Sequence, residues 1–257
     1  SRAGGQPGVL TLRATSNLNL SKNLSDGFEL ASPGSNSDPK FNNLRPGESW
    51  SYRLIGGADQ SAADPLRVTP LMKTGSTGDV VLASKAVVRT TTGNIEIAAG
   101  RDFKLTDSTA VIYTAGLPVE VVNGQTADGF AVRTQAPYGQ ISSTAINGTF
   151  YGAFPSRGGD IRIAAGRDAI GAADSQLGTH WLWRQGQSSS STSTRPEAWW
   201  MRFDLFQQNV GALGGGSVDI MAGSNVTNLS AMLPSNGRTS QSGDLVVNAS
   251  GDLSGHA

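Results

Sequence analysis

One short pattern recurs along the chain and constrains its fold more than any other feature. Its two clearest copies span residues 93–105 and 159–170, which match in residue type from the opening glycine to the aspartate. Because a recurring unit of this kind is the signature of a repeat architecture, the sequence predicts a stack of similar units within one domain, residues 1–257. Weaker copies begin at Gly8, Gly216 and Gly243, and a truncated copy begins at Gly78.

The residue types within one copy predict how each unit folds. Ile95 and Ile97 lie two positions apart, so both point to one face of a strand, whereas Glu96 between them points outward. Next comes a glycine with aspartate or asparagine two residues after it. We expect a tight corner there because these residues accept the left-handed conformation. The next apolar residue begins a second strand, and no hairpin signal joins the two strands. This order predicts an all-β fold in which units stack about 4.8 Å apart as a parallel β-solenoid.

Three long segments interrupt the repeat and are richer in proline and aromatic residues. We predict that they are insertions that leave the solenoid, at about 31–77, 117–157 and 178–213. The third contains four of the five tryptophans, and its Ser/Thr run at 188–194 is typical of a mobile tip.

The charge balance and the residue types exclude several classes of partner. The chain has 20 Lys and Arg against 20 Asp and Glu, which leaves no basic surplus for nucleic acid or anionic lipid. It has no cysteine and 2 histidines, so we expect neither a metal nor another cofactor. No apolar run approaches the roughly 18 to 20 residues of a membrane helix, so we expect no direct membrane insertion. The opening residues carry no signal-peptide pattern, which fits a cytoplasmic protein or an internal piece of an exported one.

The third insertion holds the candidate binding residues. Tryptophan rings stack on sugar faces, and arginine binds hydroxyls and carboxylates. The alternative interpretation is that an inserted segment needs a small core of its own, which tryptophan supplies with the most area per residue. Both interpretations remain open from the residues alone. The candidates are Trp181, Trp183, Arg184, Trp199, Trp200 and Arg202.

Aspartate or asparagine recurs at one corner position of the repeat, which raises the question of a calcium ladder. The glycine-rich pattern of calcium-binding repeats is missing, and Arg101 and Arg167 would repel a cation. We therefore interpret these residues as corner formers. They are Asn17, Asp102, Asp168, Asn225 and Asp252.

The sequence contains none of the common catalytic motifs: no Gly-x-Ser-x-Gly, no Walker loop, no His-Glu-x-x-His and no Gly-x-Gly-x-x-Gly. The outward polar positions of the repeat also vary in sign, from Glu96 to Arg162 to Asp219. We therefore predict that the chain is not an enzyme. The alternative is a polysaccharide lyase or hydrolase, because parallel β-helices commonly host those activities.

The repeat is similar to the degenerate repeat of filamentous haemagglutinin-type exoproteins, which Gram-negative bacteria export by two-partner secretion. The chain resembles an internal or C-terminal segment of those family members that share a large domain of unknown function. The stretches that carry the resemblance are 47–54 with 57–59, 87–102 with 110–116, and 200–203 with 211–216.

This resemblance implies a right-handed parallel β-helix, secretion through an outer-membrane partner pore, and a place on the bacterial surface or outside the cell. It also implies an adhesin role in virulence, with a glycan or protein on a host or bacterial surface as receptor. Another role compatible with the resemblance is that of a receptor-binding module in a contact-dependent toxin delivery protein.

Overall fold

The structure is a computed structural model, and its regular elements are almost all strands. Two short 3₁₀ helices occur at Gly178–His180 and Phe203–Leu205. The predicted all-β class is therefore confirmed. The structure describes residues 6–28, 44–71, 75, 77–117, 155–182, 201–234 and 244–254, and the backbone of the strands at 121–122, 125–126, 183–185, 188–190, 193–195 and 198–200.

Three parallel sheets form the body of the protein. The first sheet contains, in order across it, β1 (Val9–Ala14), β4 (Ser51–Gly56), β7 (Ile95–Ala99), β12 (Ile161–Ala165), β19 (Val218–Ala222) and β22 (Leu245–Ala249). The second contains β2 (Leu18–Leu20), β5 (Val80–Leu82), β8 (Phe103–Leu105), β13 (Ala169–Ile170), β20 (Val226–Thr227) and β23 (Leu253–Ser254). The third contains β3 (Leu24–Ser25), β6 (Val87–Thr90), β9 (Val111–Thr114), β18 (Val210–Ala212) and β21 (Ala231–Met232).

Three antiparallel pairs lie outside this body. They are β10 (Val121–Val122) with β11 (Gln125–Thr126), β14 (Leu182–Gln185) with β17 (Ala198–Met201), and β15 (Ser188–Ser190) with β16 (Ser193–Arg195).

Along the chain the body strands fall in the first, second and third sheet in turn, and we call each successive set a layer. Neighbouring layers pair in register, so each sequence repeat lies directly over the next one. The layers are β1–β3, β4–β6, β7–β9, then β12, β13 and β18, then β19–β21, and last β22 with β23.

The core consists of aliphatic side chains stacked from layer to layer. In the first sheet Leu54, Ile97 and Ile163 pair in one row, and each is at most 2% exposed. The alanine of each repeat forms a second row, in which Ala99 pairs with Ala165. Each inward side chain therefore packs on the same position of the layers above and below it, which confirms the predicted inward face of the repeat.

The corner glycines of the repeat serve a different purpose from the predicted one. Gly166 and Gly223 have φ angles outside the left-handed region. A Cβ on Gly166 would lie 2.3 Å from the carbonyl oxygen of Gly100, and one on Gly223 would lie 2.2 Å from that of Gly166. The glycines are needed because successive layers approach each other too closely at this corner for any side chain.

Two of the segments predicted as insertions contain strands of the body. Within 31–77, β4 lies between β1 and β7 in the first sheet, and within 178–213, β18 lies in the third. Chain between β4 and β5 folds back over the first sheet, where Leu66 and Val68 pack against Ile55 and Ala98. The prolines and aromatics around β4 obscured its repeat pattern. Residues 29–43, and nearly all of 118–154, lie outside the described part.

Candidate functional site

The Trp-rich insertion leaves the body after β13 and returns to it at β18. Two segments, 171–181 and 202–209, run side by side next to the body, and we call them the stem. Residues 182–201 between them carry β14 and β17 at their ends, and we call them the hairpin. Arg202 begins the second stem segment by donating its backbone N–H to the carbonyl of Trp181, 2.8 Å away.

Asn209 closes the stem where it meets the body. Its Oδ1 accepts the backbone N–H of Ala172 at 2.8 Å, and its Nδ2 donates to the carbonyl of the same residue at 2.9 Å. The side chain is buried, and its φ of 59° is in the left-handed region, which asparagine tolerates better than most residues. The Asn209 side chain thus bonds the backbone of Ala172 where the chain leaves β13, as a neighbouring strand would.

Two glutamines join the stem segments along their length. The Gln176 amide donates to the carbonyl of Leu205 at 2.6 Å and accepts the N–H of Gln207 at 2.9 Å. Gln208 donates to the carbonyl of Gln176 at 2.5 Å and accepts the indole N–H of Trp181 at 2.6 Å. Because every one of these bonds connects one segment to the other, the stem is a cross-linked unit.

Trp181 fixes the stem to the body. It is 2% exposed, and its ring meets that of Phe206 edge to face, with centroids 5.1 Å apart. Both rings belong to an apolar cluster with Val111 and Tyr113 of β9, which face away from the layered core. Trp181 therefore supplies the small core of the insertion, as the structural interpretation of the tryptophans expects.

The aromatic cluster continues below the stem. Tyr113 stacks on Phe203, with ring centroids 6.0 Å apart, and its hydroxyl accepts a hydrogen bond from Arg89 at 2.8 Å. The Arg89 guanidinium also lies 4.0 Å from the ring centre of Phe28. Burial raises the pKa of Tyr113, although Arg89 acts in the opposite direction. The buried hydroxyl has a partner, as a tyrosine in such a place requires.

Arg202 is a stem residue as well. Its guanidinium donates two hydrogen bonds to the carboxylate of Asp204, at 2.8 and 2.7 Å, and the arginine side chain is 11% exposed. A two-pronged pair of this kind holds the second stem segment in shape. Of the predicted binding residues, Trp181 and Arg202 thus lie in the anchor of the insertion.

The other four predicted binding residues lie in the hairpin. β14 and β17 pair antiparallel, with Trp183 opposite Trp200 and Arg184 opposite Trp199. Their side chains lie outside the described residues. The backbone places these four residues in two adjacent cross-strand pairs, immediately beyond the anchored stem.

A shallow polar depression of about 220 Å³ lies beside the stem. Sequence analysis did not single out its residues, which form no recognisable motif. The carboxylate of Asp174 accepts hydrogen bonds from Ser230 at 3.0 Å and Asn209 at 3.3 Å, and Gln176 links the stem segments. These polar groups serve the stem. The lining residues are Ser108, Asp174, Ser175, Gln176, His180 and Gln207.

The recurring corner residues form a continuous hydrogen-bonded ladder. At each step the side-chain oxygen in one layer accepts the backbone N–H of the same position in the next. Asp79, which lies in the truncated repeat and was missed in the sequence, completes the ladder. The bonds run from Asp79 to Asn17 (3.0 Å), Asp102 to Asp79 (3.1 Å), Asp168 to Asp102 (3.3 Å), Asn225 to Asp168 (3.1 Å) and Asp252 to Asn225 (2.9 Å).

Cationic side chains also donate hydrogen bonds to the buried carboxylates of this ladder. Arg101 donates to both oxygens of Asp79 at 2.6 and 2.5 Å, and Arg167 donates to both oxygens of Asp102 at 2.7 and 2.5 Å. Lys104 lies 2.9 Å from Asp102 as well. Within the described ranges, no group of three or more histidine, aspartate or glutamate side chains is arranged to hold a metal ion.

The ladder gives the protein a pH-dependent stability. Burial alone would raise the pKa of Asp102, but hydrogen bonds from Arg167 and Lys104 outweigh it and lower the pKa from 3.8 to about 2. A carboxyl whose pKa is lower in the folded state stabilises the fold above its unfolded pKa and loses that contribution as the pH falls. We expect Asp102 to contribute roughly 2 kcal/mol above pH 4, which is lost between pH 4 and pH 2.

Urea unfolding at a series of pH values between 2 and 6 measures this contribution. In Asp102→Asn the free energy of unfolding should fall less steeply below pH 4 than in the unsubstituted protein. Asp219→Asn is the control, because the carboxylate of Asp219 faces solvent and lies 3.6 Å from Arg162. Parallel pH curves for Asp102→Asn and the unsubstituted protein would contradict the assignment.

Among the described residues, no helix has the length and apolar character needed to cross a membrane. Comparisons of the chain with protein-family models, with curated proteins and with solved structures find no match.

Proposed function

We propose that the chain is a right-handed parallel β-helix segment of a large secreted bacterial exoprotein of the filamentous haemagglutinin type. In this proposal it is a non-catalytic structural and adhesive segment, and it presents the hairpin to a glycan or protein on a cell surface. The observation that carries the proposal is the stem at the base of the hairpin. Trp181 packs it on the outer face of the third sheet, and Gln176 and Gln208 join its two segments.

The β-helix part of the proposal rests on strand order. The chain enters three parallel sheets in turn, in five successive layers and in the first two sheets of a sixth. Connections between parallel strands of one sheet are right-handed in about 98% of cases, which favours a right-handed coil. The resemblance of the repeat to haemagglutinin-type exoproteins points to the same architecture.

The binding part of the proposal rests on pre-organisation. Binding is weakened when mobile groups must be ordered on contact, so a loop held at its base binds more tightly than a free one. The stem supplies that support through side-chain bonds between its two segments. Tryptophan and arginine, the residue types paired between β14 and β17, are enriched at the energetic centres of interfaces.

Two observations favour a binding role over catalysis. The charged cluster around Asp79 and Asp102 is neutralised internally by Arg101, Arg167 and Lys104. In the depression beside the stem, the carboxylate of Asp174 accepts hydrogen bonds from Ser230 and Asn209. A lyase or hydrolase would instead need carboxylates and bases held ready for a substrate.

The proposal includes export through an outer-membrane partner pore and a location outside the cell. A chain that is threaded unfolded through a pore gains from having no disulfide, and this sequence contains no cysteine. Its balanced charge fits a surface that meets proteins or sugars better than one that meets nucleic acid.

Replacing the hairpin tests the binding role. Leu182 pairs directly with Met201, so residues 183–200 can be replaced by an Asn-Gly turn that joins them. This variant keeps Trp181, Arg202 and the stem. We expect the intact chain to bind at least one sugar on a glycan array or one type of intact host or bacterial cell, and the hairpin-replaced variant to lose that binding at least tenfold.

Equal melting temperatures of the two proteins would show that the replacement leaves the body folded. A second variant, with Trp183, Trp199 and Trp200 replaced by alanine, separates the side chains from the hairpin backbone and should lose binding to the same degree. Equal binding by all three proteins, or no binding by the intact chain to any surface, would contradict the proposed function.

A further inference from the structure

The hairpin has two faces, and the contacts at its base show which of them is turned toward the body. Leu182 and Met201 form the first cross-strand pair of β14 and β17. Both residues are partly buried and pack against the aromatic cluster that contains Trp181 and Phe206. We call the face that contains Leu182 and Met201 the near face of the hairpin, and the opposite one the far face.

Strand alternation places the next residues of the hairpin on one face or the other. Successive residues of a strand lie on opposite faces, and residues paired across two antiparallel strands lie on the same face. Arg184 pairs with Trp199 two positions along from the pair at the base, so these two residues share the near face with Leu182 and Met201. The near face therefore continues the part of the hairpin that packs on the body.

The far face has a different composition. Trp183 pairs with Trp200, and Gln185 pairs with Ala198 in the same register. Because paired residues have Cβ atoms about 5 Å apart, the two tryptophans lie side by side, next to an amide and a small residue. None of these four residues carries a charge.

This composition favours a neutral sugar as the ligand of the far face. The apolar C–H face of a pyranose ring stacks on a flat indole ring, and an amide both donates hydrogen bonds to sugar hydroxyls and accepts them. Binding sites for small ligands combine an apolar surface with a few polar groups of this kind. An acidic glycan would instead require a cationic residue such as Arg184, which lies on the near face.

We propose that Trp183 and Trp200 form a platform on the far face that binds a neutral pyranose sugar, with Gln185 hydrogen-bonding its hydroxyls. Arg184 and Trp199 support the hairpin on its near face. A two-stranded antiparallel pair is marginally stable by itself, so the hairpin needs support of this kind. The inference rests on the proposed function and deepens it, because it assigns the ligand class and the face of the hairpin that binds.

Substitutions on the two faces test this proposal. Trp183→Val and Trp200→Val alter the far face, and Trp199→Val on the near face is the matched control. Valine removes the indole ring in each case and keeps a high strand preference. The probe is an array of neutral oligosaccharides beside their sialylated and sulfated counterparts, and titration with the best-bound oligosaccharide gives the dissociation constant.

Limited digestion with proteinase K shows whether residues 183–200 of each variant are as protected as in the unsubstituted chain. If a valine variant is cut faster there, Gln185→Ala on the far face and Arg184→Ala on the near face make the same comparison with all three tryptophans in place.

We expect the unsubstituted chain to bind neutral oligosaccharides, and each far-face variant to bind them about tenfold or more weakly, as when a residue at the energetic centre of a site is lost. The near-face variant should bind within about threefold of the unsubstituted chain. An equal or larger loss for the near-face variant, or binding confined to acidic glycans or to proteins, would overturn this inference and leave the proposed function in place. Binding that survives replacement of the whole hairpin, or no binding to any surface, would overturn the proposed function and this inference with it.

Discussion

Replacing Trp181 with alanine should lower the free energy that holds the stem to the body by about 4 kcal/mol, which is typical for removal of a buried tryptophan. The substitution removes the edge-to-face contact with Phe206 and leaves the Gln208 amide oxygen without its donor. The stem packs on the outer face of the third sheet in an apolar cluster separate from the layered core. We therefore expect the stem to detach before the layers unfold. Limited trypsin digestion then cuts after Arg202, and urea unfolding shows a new early transition.

Two other substitutions serve as comparisons for Trp181→Ala. Trp181→Phe keeps most of the packing and loses the bond to Gln208, so we expect a loss of about 1 kcal/mol. Trp50→Ala is the matched control, because Trp50 is 41% exposed and should contribute much less. If Trp181→Ala and Trp50→Ala had the same effect on digestion and on unfolding, Trp181 would not be the anchor of the stem.

Replacing Gly166 with alanine should destabilise the layered body by roughly 3 kcal/mol, since overpacking against a fixed partner has a cost of this order. The new Cβ would lie 2.3 Å from the carbonyl oxygen of Gly100. That oxygen belongs to the backbone of the adjacent layer, so the clash cannot be relieved by moving a side chain. Layers three and four must separate locally, and thermal and urea unfolding measure the loss.

Gly178→Ala serves as the comparison for this prediction. No heavy atom lies within 4 Å of the position that its Cβ would take, so we expect a change within about 0.5 kcal/mol. A similar small effect for Gly166→Ala would mean that the layers are not stacked as closely as described.

The layered body could largely be predicted from the sequence because its determinants are local and repeated. The alternation of Ile95 and Ile97 specifies a strand with one inward face, and the recurrence at Gly159 specifies its partner. The role of the corner residues could not be predicted in this way. The close approach of the corner glycines and the hydrogen-bonded ladder through Asp79 and Asp102 are contacts between successive layers, and a single copy of the repeat does not show such contacts.

The stem could not be predicted, because its contacts join residues with no shared pattern. Gln176 and Gln208 are ordinary polar residues until the two segments lie side by side. Ser49 is a similar case, since its hydroxyl oxygen accepts three backbone N–H groups, from Thr91, Thr92 and Gly93, at 2.8 to 3.0 Å. The tryptophan content drew attention to this part of the chain but did not distinguish the buried Trp181 from the residues of the hairpin.

Hydrogen–deuterium exchange of the intact chain tests the central claim most directly, namely that the stem is fixed to the layered body. Amides of Ala172, Gln207 and Arg202 donate hydrogen bonds within the stem, and amides of Ile97 and Ile163 lie in paired inner strands. The account predicts that the stem amides exchange far more slowly than unstructured peptide, as the inner strands do. Stem amides that exchange at the rate of free peptide while the strands stay protected would contradict it.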